Sequence, residues 1–142
     1  MALAINRNRA VAPPTSPAVR IKPTGTAERD GQGWRTRWRV VNEDPRAIHV
    51  TAAVAPHSQF RGETPLDLDV DAGAGAAFEL VIDVGGPPRS EIENAFVILS
   101  IQRGDERWRV LARVRVPLDG AGRPQPRVEI MTTQRVGFSG EL

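Results

Sequence analysis

Hydrophobic and polar residues alternate along most of this chain with a period of two, which is the pattern of β-strands that bury one face. Turn residues such as Asp30-Gly31, Gly85-Gly86 and Asp119-Gly120 separate the alternating segments. The residues expected to face inward are Val19 and Ile21; Trp34, Thr36, Trp38 and Val40; Ile48, Val50, Ala52 and Val54; Leu66, Leu68 and Val70; Phe78, Leu80, Ile82 and Val84; and Trp108, Val110, Ala112, Val114 and Val116. The segment from Ala95 to Ile101 is apolar on both faces, with Val97, Leu99 and Ile101 on one and Phe96 and Ile98 on the other, which suits a central strand.

These segments predict an all-β fold, a single antiparallel β-sandwich of seven or eight strands, with residues 127–133 as the possible eighth. A closed barrel is the alternative, which the uneven strand lengths and two long connections disfavour. Pro23 is expected to end the first strand and Pro56 the third, with a polar loop after Pro56. We expect a flexible N-terminal arm over residues 1–17, the sandwich over 18–133 and a C-terminal tail over 134–142.

Residues 18–118 resemble the immunoglobulin and fibronectin type III superfamily. Trp38, followed by a turn that contains Pro45, is similar to the second fibronectin type III strand. Glu93-x-Ala95, leading into Val97 and Leu99, is similar to the acid-x-Ala entry to the sixth immunoglobulin strand. Val97 stands where that family has its corner Tyr, and Leu99 where it has its second Cys. The resemblance implies an immunoglobulin-like fold and carries no function with it.

The composition excludes several kinds of chemistry. The 142 residues include no Cys and only two His, so disulfides, thiolate metal sites and cysteine catalysis are excluded, and no metal or cofactor is expected. No apolar run approaches the ~18 residues of a membrane span, and the few apolar residues near the N-terminus lead us to expect no signal peptide. The expectation is a cytoplasmic protein without a membrane partner.

The charge is small overall but unevenly distributed. Nineteen basic and seventeen acidic residues give a net charge of +2, and the pI near 10.3 reflects the lack of Tyr and Cys and the prevalence of Arg. Residues 1–41 and 96–142 are basic, whereas residues 42–95 are acidic. Such segregation suits self-association or charged partners.

Three short motifs resemble catalytic or ligand sites, and each has a simpler structural interpretation. Asp67-x-Asp69-x-Asp71 resembles a calcium loop but has Ala72 where that loop needs glycine, so a solvated strand face is favoured. Gly73-x-Gly75 is interpreted as a hairpin turn rather than a dinucleotide loop. His57 and Ser58 are adjacent, and adjacent strand residues point to opposite sides, so no catalytic pair is predicted. We expect no enzyme activity.

Two rows of arginine are the strongest candidates for a binding surface. They alternate with the inward residues of two strands and comprise Arg35, Arg37 and Arg39, and Arg107, Arg109, Arg113 and Arg115. The rows can be solvated faces, can bind an acidic protein, or can follow nucleic-acid phosphates. The three tryptophans are expected in the core, with Trp34 the most exposed.

Two apolar residues, Val136 and Phe138, lie beyond the last confident strand. They can pack on the domain, insert into a neighbouring subunit or partner, or remain free. Taken together, the sequence predicts a non-catalytic protein-interaction or assembly module, whose partner is either another protein or a second copy of itself. The alternative is a ligand-binding module that uses the arginine faces for nucleic acid or another polyanion.

Overall fold

The computed structural model describes residues 14–137, which contain eight β-strands and no helix. The strands are β1 (Val19–Asp30), β2 (Gly33–Asn42), β3 (Ile48–His57), β4 (Phe60–Val70), β5 (Gly75–Val84), β6 (Glu91–Arg103), β7 (Glu106–Pro117) and β8 (Arg127–Arg135). The predicted eighth strand is confirmed, and it continues two residues beyond the predicted end.

All neighbouring strands are antiparallel, in the order β1-β2-β5-β4-β3-β6-β7-β8. The sheet is continuous but narrow at one point, because β4 and β5 share only the pairs Phe60–Val84 and Arg61–Asp83. This contact divides the sheet into a small half (β1, β2 and β5) and a large half (β4, β3, β6, β7 and β8). The sheet curls into a half-barrel around the core, so the all-β antiparallel prediction is confirmed.

The first and last strands are the free edges of the sheet, and they approach each other without forming a ladder. The Ile21 N–H donates to Met131 Sδ (3.3 Å), and Arg123 Nε donates to the Ala27 carbonyl (3.0 Å). The prediction that Pro23 ends β1 is wrong, because the strand continues through an irregularity at residues 24–28 to Asp30. Proline is tolerated there because an edge strand needs no ladder bond on its free side.

The inward residues of β2, β5 and β7 follow the predicted alternation. Trp38 is fully buried and stacks on Phe78, its register partner on β5, with ring centroids 6.5 Å apart. Its indole N–H donates to the Thr36 hydroxyl, which in turn donates to the Leu80 carbonyl. The polar groups of both buried side chains therefore have hydrogen-bond partners. All three tryptophans are buried, and Trp34, at 5%, is marginally the most exposed of them.

The alternation predicted for β3 is wrong in its second half. Ile48 and Val50 face the core as expected, but a β-bulge between Val50 and Ala52 shifts the pattern by one residue. Consequently Ala53 and Ala55 are buried, whereas Ala52 and Val54 turn to the outward side.

The polar loop predicted after Pro56 is a tight hairpin instead. β3 continues to His57, and β4 begins at Phe60, six residues before the predicted strand. Phe60 is fully buried, and His57 Nδ1 accepts the Gln59 N–H (3.0 Å) across the turn. The apolar anchor Phe60 explains why a polar segment pairs here: its burial holds the start of β4 in place.

Candidate functional site

The two arginine rows lie on the two outward faces of the sheet. The small face consists of the outward side chains of β1, β2 and β5 and includes Arg35, Arg37 and Arg39. The large face consists of the outward side chains of β4, β3, β6, β7 and β8 and includes Arg107, Arg109, Arg113 and Arg115. The surroundings of the two rows differ.

On the small face, Arg35 and Arg37 lie between acidic residues of the neighbouring strands. Arg35 Nη2 is 2.9 Å from Asp30 Oδ2, and its Nε is 3.7 Å from Glu79 Oε1. Arg37 contacts Glu28 on β1 and, with Nε at 3.4 Å, Glu79 on β5. The hydrogen bond that Arg35 donates to the Asp30 carboxylate raises the pKa of Arg35 above its ordinary value. These two arginines are therefore neutralised within the sheet.

Arg39, the third arginine of the small face, has a different environment. Its guanidinium lies across Gly75, where a Cβ would come within 2.8 Å of the Arg39 Nε. Its register partner on β1 is Lys22, and it makes no ion pair with any residue in 14–137. Arg39 is thus an exposed cation without an ion pair among residues 14–137.

The centre of the large face is apolar. Val54, Ile98 and Leu111 are direct register partners across β3, β6 and β7, and Phe96 lies beside them on β6. Ile130 on β8 is the register partner of Arg113 and is 54% exposed. We call Val54, Phe96, Ile98, Leu111 and Ile130 the apolar band. Its members on β3, β6 and β7 are half-buried by one another, and the band crosses four adjacent strands.

One end of the large face is a network of ion pairs. Arg115 contacts Glu91 (2.8 Å), Glu129 (2.9 Å) and Glu93 (3.4 Å), and Glu129 raises the pKa of Arg115 by hydrogen bonding. Arg113 Nε lies 3.6 Å from Glu129, is buried, and makes no hydrogen bond with the described residues. The two arginines at this end are therefore largely neutralised.

The other end of the large face carries charges of opposite sign on opposite sides. Arg107 and Arg109 on β7 are exposed, and Arg109 makes no ion pair with any residue between 14 and 137. Asp67 and Asp69 on β4 flank His49, with contacts of 2.9 Å to Nε2 and 2.6 Å to Nδ1. Both carboxylates are about nine-tenths exposed, so they remain available to a partner.

A buried ion network that the sequence analysis missed lies at one pole of the sheet. Arg103 is only 5% exposed and contacts Asp44 (2.9 Å) and Glu106 (2.8 Å), and it also donates to the Thr15 carbonyl. Arg103 and Trp108 both donate hydrogen bonds to the Glu106 carboxylate and lower its pKa, and the contribution of Arg103 is the larger. The network joins the start of the described chain to the β2–β3 connection and the β6–β7 hairpin, so its role is structural.

The C-terminal candidates fall partly outside the described residues. The Val136 N–H donates to the Arg107 carbonyl (2.9 Å), which extends the β7–β8 pairing by one residue. Val136 itself is half-buried. Phe138 lies beyond the described range.

The described residues contain no group of three or more His, Asp or Glu side chains that could hold a metal ion. A cleft of about 350 Å³ separates the β1 segment 23–27 from the β7–β8 connection at 124–127. Arg37 and Arg127 are its charged lining residues, and its lining includes neither a carboxylate nor a histidine. The outward faces are thus the sites with the most distinctive chemistry.

No protein-family model matches this chain, and no curated protein is similar to it. Within residues 14–137 there is also no helix that could cross a membrane. The interpretation of function consequently depends on the geometry of the two outward faces.

Proposed function

We propose that this protein is a non-catalytic assembly module that binds a second copy of itself through the large face. The observation that carries this proposal is the apolar band, which crosses four strands on the outward side and which no described segment covers. Contiguous exposed apolar patches on soluble domains commonly mark interaction sites.

The size of the large face is consistent with a stable interface. Five strands about 4.8 Å apart, each at least nine residues long at about 3.4 Å per residue, cover about 700 Å². A standard interface buries about 800 Å² on each partner. The face has an apolar centre and a charged rim, which is the usual arrangement of such interfaces.

Charge complementarity favours a second copy over an unrelated partner. Arg109 on one side of the face makes no ion pair within residues 14–137, and Asp67 and Asp69 on the other side are almost fully exposed. A surface that carries both signs on opposite sides of an apolar centre can match a copy of itself.

We also propose an immunoglobulin-like sandwich as the finer description of the fold. Its support is the strand order, since β1-β2-β5 matches an A-B-E sheet and β4-β3-β6-β7 matches a C′-C-F-G sheet. β8 then extends the second sheet by one strand. In this description the large face is the outer surface of the larger sheet.

The test compares one substitution on each outward face by light scattering. Leu111→Glu places a charge in the apolar band, whereas Val81→Glu places it on the small face, where Val81 is 46% exposed. Leu111→Glu is expected to weaken dimerisation by at least about 100-fold, because an unpaired buried charge costs about 3 kcal/mol or more. Val81→Glu is expected to retain the wild-type mass.

Two results would overturn the proposal. One is a wild-type mass of 15.5 kDa, that of the single chain, at every concentration up to about 1 mM. At that concentration only a dimer whose association free energy is weaker than about 4 kcal/mol escapes detection. The other is a dimer that dissociates with Val81→Glu but persists with Leu111→Glu. Circular dichroism on both variants verifies that each retains the β-fold, so that a loss of mass reports on the interface.

A further inference from the structure

The cleft between β1 and the β7–β8 connection exists because β1 is irregular at that point. The pairing of β1 with β2 is interrupted between Thr24 and Glu28, so that residues 25–27 lie opposite the single residue Thr36. This bulged segment forms one wall of the cleft, and residues 124–127 form the other. The volume of about 350 Å³ lies within the range of about 300–1,000 Å³ that small-molecule sites occupy.

The two walls of the cleft are held together by contacts within the protein. Arg123 Nε donates to the Ala27 carbonyl (3.0 Å), which ties the β7–β8 connection to the bulged segment. The same guanidinium lies 5.3 Å from the ring centroid of the buried Trp34 and 3.3 Å from Asp119 Oδ2. A cleft whose walls are already fixed needs little ordering when a ligand binds, which favours affinity.

The uncharged part of the lining combines apolar rings with a few polar groups. Its apolar members are Pro23, Ala27, Pro124 and Pro126. Its neutral polar side chains are those of Thr24, Thr26, Thr36 and Gln125. The Thr36 hydroxyl already donates to the Leu80 carbonyl, so the other three are the groups that can orient a ligand. Such a lining suits a small molecule with an apolar body and few polar atoms.

The two charged residues that line the cleft differ in their pairing. Arg37 contacts Glu28 and Glu79 on the neighbouring strands. Arg127 is exposed and makes neither an ion pair nor a side-chain hydrogen bond with any residue of the described chain. Its register partner on β7 is Arg115, which contacts three carboxylates, those of Glu91, Glu93 and Glu129. Arg127 therefore has N–H donors available in surroundings whose other charges are balanced.

We infer that this cleft binds a small carboxylic acid with an apolar body. One guanidinium can donate two parallel hydrogen bonds to a carboxylate, which matches the single available arginine, Arg127. The balanced charges around it favour a singly charged carboxylate over a phosphate dianion. The rings of Pro23 and Pro126, both half-buried, would pack against the apolar body. The cleft shares no lining residue with the apolar band, so this binding function goes beyond the proposed self-association.

The test uses two small probes that share an aromatic body and carry opposite charges, phenylacetate and phenylethylamine. Each is titrated into the full-length native protein, and binding is followed by the amide signals in nitrogen–proton NMR spectra. Phenylacetate is expected to shift the amides of residues 24–27, 125 and 127 and to saturate with a dissociation constant of about 1–10 mM. Phenylethylamine and inorganic phosphate should bind the same site at least about tenfold more weakly.

Two arginine substitutions test the assignment of the carboxylate contact. Arg127→Gln should weaken phenylacetate binding about tenfold, because it removes charge-assisted hydrogen bonds. Arg39→Gln is the matched control, since Arg39 is also exposed and without an ion pair among residues 14–137 but does not line the cleft. It should retain the wild-type affinity. The amide spectra themselves verify that both variants keep the native fold.

Several outcomes of this experiment overturn the inference. Absence of saturable shifts up to about 50 mM phenylacetate shows that the cleft is not a site for such acids. Equal affinity for phenylethylamine or for inorganic phosphate contradicts the ligand class. Equal weakening by the two substitutions, or none with Arg127→Gln, contradicts the role of Arg127. Each outcome is read at the cleft, so none depends on whether the protein forms a dimer.

Discussion

The two outward faces of the sheet share the same sequence pattern but differ in the residues that surround their arginines. Both central rows are arginines that alternate with core residues, on β2 for the small face and on β7 for the large face. On the small face the neighbouring strands supply Glu28, Asp30 and Glu79, which pair with Arg35 and Arg37. On the large face, acidic residues of β6 and β8 pair with Arg113 and Arg115 at one end only. At the centre of that face β6 supplies the apolar residues Phe96 and Ile98.

The comparison teaches that a row of arginines acquires its role from the strands beside it. Opposite charges on adjacent strands produce a solvated ladder that has little need of a partner. Apolar neighbours leave the centre of the large face uncovered and place its charges at the rim. The arginine pattern alone therefore does not distinguish a solvated face from a binding face.

The largest expected effect is on stability, where replacing the buried Arg103 should cost more than replacing an exposed arginine of either row. Arg103→Leu leaves Asp44 and Glu106 buried without their partner, and we expect a loss of about 3–5 kcal/mol in the free energy of unfolding. Arg35→Leu on the small face should cost far less, because its ion pairs are exposed to solvent. Urea unfolding measures both, and equal losses would show that the small-face ladder is a structural element.

The pH dependence of stability is expected to arise in part from Glu106, which belongs to the same buried ion network as Arg103. The folded-state pKa of Glu106 lies below its ordinary value of 4.5, so the unfolded chain binds this proton more readily. The stabilisation is therefore complete above about pH 4.5 and is lost as the pH falls through the lower folded-state pKa. Urea midpoints at pH 7 and pH 3 should differ less for Glu106→Gln than for wild type, and an unchanged difference would contradict this account.

A charge reversal on each face sharpens the comparison further. Arg109→Asp on the large face should weaken the dimer by about tenfold, or about 1.4 kcal/mol, and adding Asp67→Arg should restore it. Arg39→Asp is the matched control, since Arg39 is also exposed and without an ion pair among residues 14–137. Sedimentation equilibrium gives the three dissociation constants. A weaker dimer with Arg39→Asp would place the interface on the wrong face.

The smallest expected effect concerns nucleic acid. Among the residues that the structure describes, carboxylates pair with at least four of the seven arginines in the two rows, so we expect no binding of labelled duplex or single-stranded DNA at about 100 mM salt. Fluorescence anisotropy provides the measurement. Binding whose affinity falls with salt at a log–log slope of about −0.9 per contact would support the polyanion alternative and argue against neutralised rows.

Local alternation was enough to predict the strands that have no irregularity. β2, β5 and β7 bury the expected residues because each register shift in their ladders adds a residue to the partner strand and leaves their own alternation intact. The bulge in β3 was not predictable, since Thr51 is an ordinary strand residue and only the pairing of β3 with two neighbours reveals the shift. Pro23 misled the prediction because its effect depends on whether β1 is an edge strand.

The surfaces depend on strand order, which local patterns do not contain. The apolar band exists because β6 pairs with both β3 and β7, and Val54 joins it only through the bulge. The burial of Arg103 was in principle predictable, because it continues the inward positions of Val97, Leu99 and Ile101. Its acidic partner Asp44, 59 residues away along the chain, was not.

The central claim is that a second copy covers the large face and leaves the small face in solvent. Ile130 and Val81 are matched probes, since they are 54% and 46% exposed and lie on the large and small faces. The measurement is methyl NMR relaxation by a soluble paramagnetic agent, recorded on the native protein from low to high concentration. The account predicts that the Ile130 methyl signals become protected as concentration rises, while those of Val81 do not. Equal relaxation of both residues at all concentrations, or protection of Val81 instead, would contradict it.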